Sequence, residues 1–245
     1  MILEMCIDSV ESAVASAEGG ADRVEFCANL LEGGTTPSLG AIRETKRRAG
    51  NVGLSVMVRP RGGDFCHTEE EFAVMCEDVK IFKEEGVDCL VFGLLTPDGR
   101  VDVGKTQRLI ALADPLPVTF HRAFDMAEDP FEALETLIGL GVARILTSGQ
   151  EPSVFEGTDL LRELIQKAGD RIVIMPGCGI TLKNVKRVIA ETGAKEIHVA
   201  APAAQPSLMQ HRNDAVFMGT ALRSEEYIRY VTPAGAVRQF RESIC

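Results

Sequence analysis

No apolar stretch in this chain approaches the ~18 residues that a membrane-crossing helix requires, so the sequence gives no expectation of a membrane partner. No CxxC pair occurs, and the seven cysteines are odd in number. That pattern argues against a disulfide framework and for reduced thiols in a cytoplasmic protein. Positive charge is short: the formal net charge is −10, where a nucleic-acid partner needs a basic face. Local arginines remain available for a small anion. No proline-, glycine- or serine-rich linker interrupts the chain, so residues 1–245 are expected to form one domain. The first strand begins at residue 2, which leaves no room for a signal peptide. Cys245 stands last rather than fourth from the end, so it does not form a prenylation box.

What the chain does have is βα alternation, set out in its first 27 residues. Residues 2–7 are apolar and strand-like, Val10, Ala13, Val14 and Ala17 recur at helical spacing, and Gly19-Gly20 ends that helix. Asp8 is expected to cap it, with Glu11 completing a capping box. Residues 23–27 start a second strand. Further strands are expected near 54–59, 89–92, 118–121, 145–147, 171–175 and 196–200. Helices are expected from Thr68 to about Glu85, near 103–113, from Asp129, near 159–168, and from a Thr181 cap to about Thr192. A glycine stop followed by a strand recurs at Gly20, Gly86, Gly141 and Gly193, ahead of strands 2, 4, 6 and 8. Eight strands at this period fit an α/β fold of the (β/α)8 TIM-barrel type. Residues 203–222 lack periodicity and are expected to loop over the barrel mouth, with a last helix near 233–244.

In such a barrel the chemistry sits where strands end. Glu4 and Cys6 share one strand face, as do Glu25 and Cys27, so adjacent strands offer two carboxylates and two thiols. Acids inside a parallel strand need an explanation. One is general acid–base work by Glu4, Glu25 or His121, a histidine at a strand end. Arg59, Arg61 and Arg122, with Asp125 and Ser148 nearby, could hold an anion; Arg59 could equally neutralise Glu4 or Glu25. Gly177 and Gly179 precede a helix and could cradle a phosphate, although the stretch after strand 8, Ala200-Ala201-Pro202, lacks a matching glycine. His198 reads as a pocket wall or as core. The two thiols could take a soft metal, or simply be buried cysteines. Cys66, Cys76, Cys89, Met57 and Met75 read as structural.

The motifs Glu4-Met5-Cys6, Gly20 to Cys27, Glu32 to Ser38, Arg59 to Phe65, Thr119 to Asp125 and Leu146 to Gly149 together resemble the CutC family of copper homeostasis proteins, its animal members most closely. The resemblance runs in order from residue 2 to about residue 230. It implies a (β/α)8 barrel, a cytoplasmic location and self-association as a dimer or tetramer. It also implies Cu(I) binding, with Cys6 and Cys27 at the positions of the family's proposed ligand cysteines. The residues themselves support a second expectation, an enzyme acting on a small anionic metabolite, and assign it no reaction.

Overall fold

The computed structural model describes residues 1–219 and 226–245. Its first half runs β1 (Ile2–Ile7), α1 (Val10–Glu18), β2 (Arg23–Phe26), α2 (Leu39–Arg48), β3 (Gly53–Met57), α3 (Glu69–Glu84), β4 (Cys89–Phe92) and α4 (Val103–Ala113). The second half runs β5 (Val118–Phe120), α5 (Pro130–Gly139), β6 (Arg144–Thr147), α6 (Thr158–Ala168), β7 (Val173–Pro176), α7 (Val185–Thr192) and β8 (Glu196–Val199). A two-stranded arm, β9 (Ala203–Pro206) and β10 (Ile228–Val231), precedes α8 (Ala234–Ile244).

Each of the first six strands pairs in parallel with its successor, and β1 also pairs with β8. A parallel bridge between Gly177 and His198 joins β7 to β8 and completes the eight-stranded α/β barrel. The pleat sorts the strand residues into two sets. Leu3, Met5, Ile7, Val24, Phe26, Val56 and Leu90 face outward and pack with helix residues such as Ile42, Met75, Val79, Leu109 and Phe240. The alternate residues face the barrel interior, and these carry most of the charge.

Local signals account for several helix starts. Thr68 and Glu71 form the expected capping box, and Asp129 caps α5 with Pro130 at its first position. Two caps are corrected. Ser9, not Asp8, caps α1: its hydroxyl accepts from the Ser12 N–H, and the extended backbone at Ser9 brings it into reach. Helix α7 begins at Val185 rather than at Thr181, because the Asn184 carboxamide takes the Thr181 N–H and residues 182–184 form a turn. Helix α2 was absent from the expected elements. Its only signals are the Ser38 cap and a narrow inward stripe with Ile42 and Thr45 buried.

The expected loop over the mouth is also corrected. Residues 203–206 form β9, antiparallel to β10, and residues 207–219 are mostly exposed. Residues 220–222 of that expected loop lie outside the described residues. The arm is anchored to α1, where Arg229 pairs with Glu11 at 3.2 Å and the Thr232 N–H donates to Ser12. Among the described residues none beyond Pro202 lines the mouth.

Candidate functional site

Inside the barrel a belt of charge lies below the mouth. Arg23 bonds Glu4 and, at 2.7 Å, Glu196; Arg144 reaches Glu196 at 2.7 Å and Thr119 at 3.0 Å. Two guanidiniums thus meet two carboxylates, so the belt is internally neutral, which a buried cluster requires. Arg23, Arg144 and Glu196 were not among the sequence-based candidates. Their signal was there: Arg23 lies two residues before Glu25, and Glu196 two before His198, each on the inward face of its strand.

One layer up, register places Cys6 beside Glu25. The Glu25 Oε2 atom lies 3.7 Å from the Cys6 Sγ and 3.5 Å from the Cys27 Sγ. Single donor atoms of Cys6, Cys27 and Glu25 all fall within 4.8 Å of one another. A second trio, Glu4, Glu25 and His198, meets the same limit. In that trio Glu4 is already engaged, accepting from Arg23 and lying 2.7 Å from the His198 Nδ1. Glu4 therefore lies deeper than the thiols, while Glu25 stands level with Cys6. Met57, expected as core filler, packs in one small cluster with Cys27, Val91 and Cys6 and lines the mouth.

The charges of this floor are interdependent. Burial raises the Glu25 carboxyl, against the pull of a charged His198 and with the push of Cys6 and Glu4, to about 8. Burial also works to raise Glu4, but the His198 hydrogen bond and the Arg23 charge outweigh it and hold Glu4 near 2. For His198, burial is overcome by the charge of Glu25 and by hydrogen bonds to Cys6 and Glu4, and its pKa lies well above the usual value. The thiols split. A hydrogen bond from Cys27 draws Cys6 down to about 5 against burial, while the same bond and burial push Cys27 well above its ordinary value. The two neighbouring thiols are thus driven in opposite directions.

Above the floor opens a cavity of about 560 Å³, within the size range of small-molecule sites. Apolar side chains of Leu30, Met57, Phe65, Leu146 and Ile180 form much of its wall. Arg59 and His121 also line it, both almost fully buried. The pairing of Arg59 with Glu4 or Glu25 that the sequence suggested does not form. Its guanidinium instead donates to the carbonyls of Glu32, Gly34 and Gly63 and stacks on Phe65. Burial lowers the His121 pKa, aided by the Arg59 charge, to about 3, so its ring is neutral.

The remaining candidates separate by position. Arg122 reaches the rim, held there by Asp125 at 2.7 Å and Ser148 at 3.0 Å. Asp125 and Ser148 do not line the cavity. Asp125 accepts from the backbone N–H groups of Ser148 and Gln150 and from the Thr147 hydroxyl, tying the loop after β5 to the loop after β6. Arg61 is turned away to Glu71, Asp64 and its own loop carbonyls. Gly179 lines the cavity in a left-handed conformation. Gly177 lies against His198, where a Cβ would meet the Leu146 side chain at 2.5 Å. With α7 starting at Val185, these glycines do not directly open its N-terminus.

A family model described as the CutC family matches residues 1–203. The copper homeostasis protein cutC homolog of Mus musculus is 50% identical over 237 residues, covering 97% of this chain and 87% of its own length. The human homolog is 49% identical, with 97% and 86% covered. A solved structure of a CutC protein from Streptococcus agalactiae superposes with a TM-score of 0.77 at 34% identity, over 81% of this chain and 97% of its own.

Proposed function

The chain belongs to the CutC family, whose mouse and human members are named as copper homeostasis proteins, and from that premise we propose that it binds Cu(I) between the Cys6 and Cys27 thiolates. The observation that carries this reading is the convergence of both sulfurs and the Glu25 carboxylate within 4.8 Å. Two thiols and a carboxylate at that separation could share a single ion. Thiolates select soft Cu(I) over the harder divalent ions, and the Met57 thioether adds a soft neighbour. Cys6 is already drawn toward thiolate; Cys27 loses its proton when the ion enters, as metal binding to thiols requires. The flanking Glu4 and Arg23 charges fix the strand faces that present the sulfurs.

The same reading places the protein in the cytoplasm, whose reducing conditions keep all seven cysteines as the free thiols they are here. No helix among the described residues is long and apolar enough to cross a membrane. The reading also includes self-association as a dimer or tetramer through the exposed arm.

An anaerobic Cu(I) competition titration tests the site. Wild type is expected to hold about one tightly bound copper per chain and the Cys6→Ser/Cys27→Ser variant none. A Cys66→Ser/Cys245→Ser variant, which removes the two exposed thiols, is expected to match wild type. Copper lost with the exposed pair and kept without Cys6 and Cys27 sinks the assignment.

A further inference from the structure

Three buried polar atoms on cavity-lining residues have no hydrogen-bond partner: the Arg59 Nε, the His121 Nε2 and the Glu25 Oε1. Copper binding at the thiols accounts for none of the first two. We propose that the barrel mouth binds a small hydroxylated carboxylic acid, with its carboxylate on Arg59 and His121 and its hydroxyl on Glu25.

The charge argument comes first. Arg59 is 4% exposed, cannot shed its proton, and forms no ion pair among the described residues. Three of its other N–H bonds go to neutral carbonyls. A buried cation without a counter-ion is costly, and a ligand anion supplies what the protein withholds. The donor pattern agrees. The His121 Nδ1 accepts the Ala123 N–H at 3.2 Å, so the proton of the neutral ring sits on Nε2, which then donates. Arg59 and His121 both pack on one ring: the Arg59 guanidinium lies 4.9 Å from the Phe65 centroid, and the His121 ring 5.0 Å from it. Both donor groups thus contact Phe65 at the cavity wall, and two N–H donors can serve the two oxygens of one carboxylate.

Charge number distinguishes carboxylate from phosphate. Arg122 is already paired with Asp125 and Arg61 with Glu71, and Arg59 feels the Glu32 and Asp64 carboxylates without a direct ion pair to either, so the mouth has at most one positive charge left to meet, suited to a monoanion. Glu25 Oε1 marks the other end of the ligand, where a hydroxyl can pair with the acid in either protonation state. The apolar wall of Met57, Leu146 and Ile180 accommodates a short carbon body between them. Both donor atoms are buried and their side chains pack against Phe65, so this ring is the one whose movement would open them to a ligand.

Metal-free full-length protein titrated calorimetrically with lactate, glycerate and gluconate tests the proposal, with propionate and inorganic phosphate as comparisons. At least one hydroxy acid is expected to bind saturably, about tenfold or more tighter than propionate, and to raise the melting temperature by roughly 5 °C at saturation. Arg59→Lys, which keeps the charge and removes the Nε–H, is expected to weaken that binding about tenfold. Phe65→Ala, which uncovers the donors and spares the Arg59 loop bonds, is expected to keep or tighten it. Absence of saturable binding by all three hydroxy acids in both wild type and Phe65→Ala overturns the proposal. So does phosphate binding as tightly, or affinity indifferent to Arg59→Lys in a variant that melts like wild type.

Discussion

At the scale of single residues, His121 offers a prediction independent of any ligand. Its folded pKa lies near 3, below the ordinary value of about 6.5 in an unfolded chain. Between those values the unfolded state binds a proton that the fold refuses. Stability from this residue is therefore complete above about pH 6.5 and declines as pH falls toward 3. Replacing it by Asn keeps an acceptor for the Ala123 N–H and removes the titration. Urea unfolding at pH 6.5 and pH 5 is expected to show wild type losing roughly 1–2 kcal/mol more than His121→Asn over that interval. Equal losses would mean the buried ring is protonated in the fold. The sequence marked His121 through its place after strand 5, but not its tautomer or neutrality, which depend on Ala123, Arg59 and Phe65. Arg61 shows the converse: two residues from Arg59 in sequence, it is aimed elsewhere because Glu71 at the start of α3 draws it off the mouth.

Individual elements explain which parts of the site were legible. Glu4, Cys6, Glu25 and Cys27 were readable because period-2 alternation within one strand fixes a face. Their surroundings were not, since Arg23 on β2 and Arg144 on β6 meet Glu196 on β8 only after the barrel closes. Residue spacing along one chain carries no record of that closure. Helix α2 escaped for a different reason: its ten residues carry few apolar side chains, and only Ile42 and Thr45 are buried. The charged belt, built from four strands, has a measurable consequence. Glu196→Gln leaves two largely buried guanidiniums with one carboxylate and is expected to cost about 3 kcal/mol in urea unfolding. Arg144→Met/Glu196→Leu leaves the Arg23–Glu4 pair balanced, so it is expected to recover much of that loss. A double variant less stable than Glu196→Gln would show that packing, not charge balance, holds the belt.

For the whole molecule, the barrel is closed on itself, but the arm is not. Helix α8 returns to pack Val237 and Phe240 into the core, completing the ring of helices. The chain between β9 and β10, by contrast, leaves Leu208 91% and Met218 82% exposed, with Met209 and Val216 also exposed. Neighbouring large apolar side chains held in water on one projection are unusual for a monomer and mark a contact surface. A second copy of this chain is the occupant that the proposed self-association supplies, because identical arms bury their apolar residues against each other without another partner. Light scattering after size exclusion is expected to give a dimer or tetramer for wild type. Leu208→Asp/Met218→Asp, remote from core and mouth, is expected to give a smaller species with unchanged melting of the barrel. A monomeric wild type, or a variant of undiminished mass, would remove the arm from the assembly.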